Sequence, residues 1–198
     1  MYETKSLTPA EIDILYDDGT LASMWVGSKP YIEQGSFNFV FLSDEEKSAA
    51  TDENYANYVY HQNYAYAVQE RRYVSATYKD DYLVVIGLLE IIDPDKPEEI
   101  HLCQTFIRND KEGTRAFMRD PEYHNSRATH WKSLGCTKAF TYLELTSPII
   151  HTFEAYKNHF APWPDMKMDW SSLQYLGEVT IDYGEYENTF KKYSMDIK

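Results

Sequence analysis

The chain has 198 residues, of which 43% are hydrophobic and 26% charged, and its net charge at pH 7 is −13. This composition excludes a disordered or fibrous protein, and the negative charge argues against binding to nucleic acid. Residues 1–100 hold 19 acidic and 7 basic side chains, whereas residues 101–198 hold 13 acidic and 12 basic ones. The first half should therefore attract cations, and the second half can admit an anionic ligand.

Cysteine usage and hydropathy point to a cytoplasmic protein. Cys103 and Cys136 are the two cysteines, and both are expected to be small core residues in a reducing compartment. The spacing of cysteines and histidines does not match a metal site, so we expect no metal. The N-terminus lacks a secretory pattern, and the longest apolar run, Leu83–Leu89, is too short to cross a membrane.

The first predicted element is a short helix over residues 9–16. Thr8, Pro9 and Glu11 have the types and spacing of a capping box with proline at the first helical position. Phe37–Leu42 is a predicted strand, and the tyrosine-rich residues 45–70 favour a helix. We treat residues 1–70 as the acidic, tyrosine-rich N-terminal part of a single domain, 1–198.

The predicted core begins with a hairpin. Alternating or continuous apolar residues predict three strands, Arg72–Tyr78, Tyr82–Ile92 and Ile100–Ile107. Asp80 and Asp81 form the turn between the first two strands. The segment Asp93–Glu98 contains two prolines, which predict a loop before the third strand.

A loop with one glycine, Arg108–Arg115, follows the third strand and leads into a helix that starts over Thr114–Met118. Pro121 interrupts this helix at Asp120, and Gly135 should end its second piece. A glycine loop that leaves a strand and opens a helix directs unpaired N–H groups at one point. Such a point favours an anion, usually a phosphate.

The remaining predicted elements alternate between strands and a helix. They are Lys138–Leu145 (strand), Ile149–Phe160 (helix), Leu173–Asp182 (strand) and Glu187–Ile197 (strand). Tyr183 and Gly184 place a turn between the last two strands, which therefore form a terminal hairpin.

In this order, residues 72–197 resemble the GCN5-related N-acetyltransferase (GNAT) superfamily. Four segments carry the resemblance: YVSATYKDDYLVVIGLLEI, IHLCQTFIRNDKEGTRAFM, WKSLGCTKAFTYLEL and the helix end EAYKNHF. The resemblance implies an α/β (α+β) fold with a mixed, strongly twisted central sheet of about six or seven strands, flanked by helices. In this family the sheet opens in the middle and holds acetyl-CoA.

The chain departs from the family pattern at two motifs. The family loop reads Gln/Arg-x-x-Gly-x-Gly/Ala, but here Arg108 stands five residues before Gly113. Either Arg115 replaces the second glycine, or Ala116 is the small residue of a loop that is one residue longer. In the last helix, Tyr156 stands one position later than the family tyrosine. Such divergence is typical of phage-encoded members, some of which lack activity.

The resemblance implies an acyl-CoA-dependent N-acyltransferase that moves an acetyl group from acetyl-CoA to an amine. Backbone groups of Phe106 and Ile107 would align the pantetheine arm. The pyrophosphate would bind the following loop and helix start, which comprise Arg108, Gly113, Thr114, Arg115 and Ala116. N–H groups at positions 113–115 and the two arginines would hold it.

Three residues are candidates for proton transfer. Glu90 lies in an apolar strand, where a carboxylate takes up a proton more readily, and is the first candidate for the base. The alternative is that Glu90 faces solvent at a strand end. Glu144 on a neighbouring strand is the reserve base. By the resemblance, Tyr156 would donate a proton to the leaving thiolate, or else it only packs in the core.

The acceptor is expected to bind against residues 20–70, whose acidity favours a cationic amine on a small molecule or a protein. Two alternatives stay open. One is a non-catalytic binding or structural protein of the same fold, and the other is an acidic mimic of nucleic acid. The expected partners include neither a membrane nor nucleic acid, and a homodimer is compatible with the sequence.

Overall fold

The computed structural model describes residues 1–20, 24, 72–93, 95–108, 110–145, 149–160, 162–182 and 187–198. The predicted strand Phe37–Leu42 and the predicted helix over residues 45–70 lie outside the described residues, as does most of the expected acceptor side. Within the described ranges, no helix is long and apolar enough to cross a membrane. The same ranges contain no group of three or more His, Cys, Asp and Glu side chains that could hold a metal ion.

Strands and helices follow one another in the order β1 (Tyr2–Ser6), α1 (Pro9–Asp17), β2 (Arg72–Lys79), β3 (Tyr82–Asp93), β4 (Lys96–Ile107), α2 (Lys111–Arg119), α3 (Pro121–Ser133), β5 (Lys138–Glu144), α4 (Ile149–Phe160), β6 (Met168–Asp182) and β7 (Glu187–Ile197). The seven strands form one sheet in the order β1-β2-β3-β4-β5-β7-β6. Neighbours are antiparallel except β4 and β5, which are parallel. The predicted mixed sheet of six or seven strands flanked by helices is confirmed.

Local sequence signals explain the first elements. The backbone N–H of Thr8 donates to Glu11 at 2.8 Å and that of Glu11 donates to the Thr8 hydroxyl at 3.3 Å, so the capping box that starts α1 is present. Asp80 and Asp81 both adopt positive φ, as a tight turn between β2 and β3 requires. Strand β1, which pairs with β2, was not predicted from the sequence.

The prediction of a loop over Asp93–Glu98 is wrong, because β4 already begins at Lys96. The ladder between β3 and β4 passes from the pair Asp93–Lys96 directly to the pair Ile92–Ile100. Pro97 therefore falls in an irregular stretch, where its missing N–H breaks no bond of this ladder.

The start of α2 also differs from the prediction. The helix begins at Lys111, so Gly113 lies in its first turn and not in a loop. Asp110 is the N-cap, and its side chain accepts a hydrogen bond from the N–H of Gly113 at 2.8 Å. The predicted break at Asp120 is confirmed, since α2 ends at Arg119 and α3 begins at Pro121.

Helices α3 and α4 cover one face of the sheet through a shared apolar cluster. Its buried members include Ile100, Ala128, Trp131, Cys136, Ala139, Tyr156, Phe160, Trp170 and Met195. These residues come from β4, α3, β5, α4, β6 and β7 and from the turn after α3. The cluster thus ties both helices to the strands on either side of the β4–β5 junction. Cys136 is a buried free cysteine, as predicted.

His124 is a buried titratable group in this part of the fold and gives stability a defined pH dependence. Burial, with a smaller effect from nearby Arg127, lowers the pKa of His124 to about 3. An unfolded histidine titrates near pH ~6.5, so the unfolded chain binds the extra proton between these values and stability falls as pH decreases.

We expect this one group to remove about 1.6 kcal/mol of stability between pH 6.5 and pH 5, with a slope that approaches about 1.4 kcal/mol per pH unit at the acidic end. Urea denaturation across this range, for the parent chain and for His124→Gln, measures the effect. The variant should show the shallower pH dependence, because carboxylates contribute equally to both curves. Parallel curves would contradict a neutral His124 in the folded state.

Candidate functional site

Strand β4 has an irregular register at the position where it separates from β5. In its ladder with β3, Gln104 pairs with Leu89, while the flanking pairs are Leu102–Glu90 and Thr105–Gly87, so Cys103 on β4 and Leu88 on β3 each fall between two pairs. The parallel ladder with β5 ends at the pair Leu102–Thr141. The irregular stretch of β3 and β4 therefore begins where the ladder between β4 and β5 stops.

Past that pair the two strands keep different neighbours. Residues 104–107 of β4 continue along β3, while residues 142–144 of β5 continue along β7. The edges of β4 and β5 that face each other over these residues therefore form a gap inside the sheet, which we call the β4–β5 gap. Strand edges that do not pair with each other can bind extended, amide-containing ligands by adding a strand.

Two predicted site residues, Phe106 and Ile107, lie on the β4 side of the gap, with a buried and a half-buried side chain respectively. Glu144 is the last residue of β5 and pairs with Phe190 of β7, so its backbone lies on the other side. The structure thus brings these three positions to one opening.

A polar pair that the sequence analysis did not single out bridges β4 and β5 where the gap begins. The Nδ1 atom of His101 lies 2.7 Å from the Tyr142 hydroxyl oxygen. The imidazole stacks on the Phe140 ring, with 4.9 Å between centroids. The Glu99 carboxylate lies 3.9 Å from Nε2 of His101, and both side chains are 17–18% exposed. The sequence contains one signal for this pair. The family resemblance predicts that the strands carrying His101 and Tyr142 are adjacent in the sheet.

Lys192 of β7 adds a positive charge to this pair. Its ammonium nitrogen lies 4.8 Å from the centroid of the Phe140 ring and 5.5 Å from that of the Tyr142 ring. A cation at this distance is attracted to the ring face. The start of the gap therefore combines a phenol, an imidazole, a carboxylate and an ammonium group.

The N-terminus of α2, where the phosphate site was predicted, is closed by the chain itself. The Asp110 carboxylate accepts from the N–H of Gly113 at 2.8 Å and from the Tyr82 hydroxyl at 2.6 Å. Thr114 and Arg115 lie inside the helix, where their N–H groups bond to carbonyls four residues earlier. The predicted row of open amides at positions 113–115 is thus within the helix in this structure.

Gly113 is required at this point by a close approach of the backbone. A Cβ atom there would lie 2.2 Å from the carbonyl oxygen of Arg108. Ala116, one turn later, is fully buried against Val84, Val85 and Tyr123. Both small residues therefore serve the packing of α2 against the preceding loop and the sheet.

Arg108 is also engaged by the protein. Its backbone N–H donates to the Val84 carbonyl and its Nε donates to the Leu83 carbonyl, each at 2.9 Å. The guanidinium carbon lies 4.7 Å from the centroid of the Tyr82 ring. The side chain of Arg115, the second predicted arginine, is exposed.

Two carboxylates set the charge at the start of α2. Burial raises the pKa of Asp110, but the hydrogen bonds from Gly113 and Tyr82 outweigh it and the pKa is lowered. Glu112 forms an ion pair with Lys79, which lowers the pKa of Glu112. Both groups are therefore ionised at neutral pH. A diphosphate needs the N–H group that Asp110 already uses and would be repelled by both carboxylates, so it does not fit this helix start as it stands.

Glu90 lies in the core and not in the gap. Its carboxylate accepts from Nη2 of Arg127 at 2.5 Å and from Nε1 of Trp131 at 3.1 Å. The alternative that Glu90 faces solvent is wrong, because the residue is 1% exposed. Arg127 also donates to the Tyr123 hydroxyl at 2.9 Å, which completes a buried polar network between β3 and α3.

Tyr156 is 4% exposed and packs in the apolar cluster shared by α3 and α4, against Phe153, Phe160 and Trp170. Its hydroxyl donates to the sulfur of Met118 at 2.9 Å. This environment corresponds to the packing alternative and gives no support to a role in proton donation.

No protein-family model matches the sequence, and no curated protein sequence is similar to it. Solved structures do match the fold. The ribosomal-protein-S18-alanine N-acetyltransferase from Escherichia coli matches with a TM-score of 0.51 and 9% identity, over 100% of this chain and 95% of that one. The PaiA N-acetyltransferase from Thermoplasma acidophilum, solved with coenzyme A, matches with a TM-score of 0.50 and 10% identity, over 99% of both chains.

RimL, a ribosomal L7/L12 alpha-N-protein acetyltransferase solved with coenzyme A, matches with a TM-score of 0.51 and 10% identity, over 99% of this chain and 94% of that one. The chain therefore has the GNAT acetyltransferase fold, and the predicted resemblance is confirmed at the level of the fold.

Proposed function

We propose that the chain is an acyl-CoA-dependent N-acyltransferase that moves an acyl group, with acetyl as the expected case, from a thioester to an amine. The observation that carries the proposal is the β4–β5 gap, which begins where the parallel ladder ends at Leu102–Thr141 in a sheet of the acetyltransferase fold. Further support comes from PaiA and RimL, which share the fold and were solved with coenzyme A. The extended, amide-containing arm of coenzyme A has the right chemistry for two strand edges that do not pair with each other.

The acceptor in this proposal is a cationic amine. The acidic surplus of residues 1–100 attracts such a molecule towards the N-terminal part. The S18-alanine and L7/L12 enzymes act on protein amines, so a protein N-terminus or lysine is as compatible with the fold as a small polyamine.

We assign the handling of the amine proton to Tyr142 and His101. The Glu99 carboxylate near Nε2 favours the tautomer with hydrogen on Nε2, which leaves Nδ1 free to accept from the Tyr142 hydroxyl. The amine nitrogen attacks the thioester carbonyl and gives its proton to the phenol oxygen as the hydroxyl proton passes to Nδ1. Glu99 stabilises the imidazolium that forms. When the C–S bond breaks, the leaving thiolate takes a proton back from the same phenol and imidazole pair. Glu144 stays the reserve base on the opposite side of the gap, whereas Glu90 and Tyr156 are held in the core.

Removing either member of this pair should slow turnover. For Tyr142→Phe and His101→Asn we expect kcat to fall by about 100-fold, the usual loss when a positioned acid or base is removed. A thiol-release assay with acetyl-CoA and a polyamine or an N-terminal peptide measures the rate. Tyr175→Phe is the matched control, because it removes a phenol from the exposed side of β6.

Unchanged rates in Tyr142→Phe and His101→Asn, with normal melting temperatures, would remove the pair from the mechanism. Normal rates in the Tyr175→Phe control are required before the comparison is used.

The second candidate is a non-catalytic binding or structural protein of the same fold. The specific observation in its favour is the self-capped, acidic start of α2. Calorimetry separates the two candidates. A micromolar dissociation constant for acetyl-CoA supports the transferase, and no binding of either acetyl-CoA or its phosphate-free acetyl-pantetheine arm at millimolar concentration leaves the non-catalytic candidate.

A further inference from the structure

We propose that Asp110 determines donor specificity: its carboxylate occupies the place of a diphosphate at α2 and selects against donors that carry one. The inference rests on the proposed function, because it concerns the donor end of the same gap. Asp110 lies three residues after the end of β4, so the start of α2 is where a ligand leaving the gap along β4 arrives.

The Asp110 side chain is held in place on both of its oxygens. Oδ1 accepts from the N–H of Gly113, and Oδ2 accepts from the Tyr82 hydroxyl at the start of β3. The backbone at Asp110 is extended, with φ −145° and ψ 179°, as an N-cap requires. The carboxylate is therefore a fixed part of the helix start.

The surrounding charges compensate only in part for this carboxylate, because the side chains of Lys111 and Arg115 at the same helix end are exposed and solvent screens their charges. Lys79, the basic residue that β2 brings to α2, is paired with Glu112 in the first helical turn. Arg108 uses its Nε for the Leu83 carbonyl and stacks on Tyr82. An incoming diphosphate would meet one carboxylate in its place and a second one beside it, while the positive end of the helix is already neutralised.

The consequence is a difference between donors. A neutral thioester arm without a nucleotide meets no repulsion, because it occupies the gap alone. Coenzyme A must displace Asp110 and approach Glu112, so its diphosphate weakens binding where it normally strengthens it.

The test is Asp110→Asn, because asparagine is as good an N-cap as aspartate and removes the charge without removing the cap. Asp120→Asn is the matched control: Asp120 caps α3 ten positions later and makes the same kind of bond, to the N–H of Glu122 at 3.1 Å. Calorimetry is done with coenzyme A and with pantetheine, which is the arm without any phosphate. It gives a dissociation constant for each ligand with each of the two variants and with the parent chain.

We expect Asp110→Asn to tighten coenzyme A binding by about tenfold or more and to leave pantetheine binding unchanged, because only the repulsion is removed. Asp120→Asn should change neither. A coenzyme A affinity of Asp110→Asn within about twofold of the parent value overturns the inference, and so does a lack of coenzyme A binding to Asp110→Asn when pantetheine binds. Failure of the proposed function looks different, since pantetheine then binds neither the parent nor any variant.

Discussion

Replacing Arg127 with methionine is expected to lower the free energy of unfolding by about 3–5 kcal/mol, which is the usual cost of breaking a buried ion pair. Arg127 is 4% exposed and Glu90 is 1% exposed, so the carboxylate that remains cannot regain water. Its hydrogen bond from Trp131 stays but brings no charge. Urea denaturation monitored by tryptophan fluorescence measures the loss.

The double variant Glu90→Met with Arg127→Met is the control for the charge argument. It removes both charges and fills the space with apolar groups, a replacement that is often neutral or stabilising. We expect it to recover most of the loss in the single variant. Equal stability of the single and double variants would show that the loss comes from packing and not from an unpaired charge.

A second large effect is expected at Gly87, where an alanine should cost about 3 kcal/mol, at the upper end for overpacking. A Cβ atom at this position would lie 2.2 Å from Oε1 of Glu90 and 2.9 Å from the Ser75 hydroxyl oxygen. The carboxylate cannot move aside without leaving Arg127, because the two groups are 2.5 Å apart. The added methyl group therefore opposes the ion pair directly.

A double-mutant cycle checks this explanation of the Gly87 effect. In the background Glu90→Ala with Arg127→Met, the nearest obstacle is absent, and Gly87→Ala should cost much less than in the parent chain. The two costs are compared by urea denaturation under one set of conditions. Equal costs in both backgrounds would assign the effect to the β3 backbone and not to the Glu90 carboxylate.

Local sequence signals predict most of the fold in the described residues. Helix α1 follows from its capping box, the β2–β3 turn from two aspartates, and the end of α2 from Pro121, because each depends on neighbouring residues. The start of α2 was missed because Gly113 was read as a loop residue. Aspartate is a preferred N-cap residue, and Asp110 starts the helix at Lys111 although a glycine follows in the first turn.

The site was less predictable, because it depends on contacts between distant residues. The β4–β5 gap follows from the family resemblance, but the irregular register beside it, at Leu89–Gln104, has no local signal in the sequence. Glu90 was considered for catalysis because an acidic residue stands in an apolar strand. Its partner, Arg127, lies 37 positions later on α3, and helix patterning does not reveal which buried charge it meets.

The strand order has a consequence for biosynthesis. Strand β5 forms one side of the β4–β5 gap, and its second neighbour in the sheet is β7, which follows it in the chain only after α4 and β6. On the ribosome, β5 must therefore wait with one edge uncovered until β7 has emerged. Nascent chains stopped before β7 should therefore be targets for chaperones and proteases.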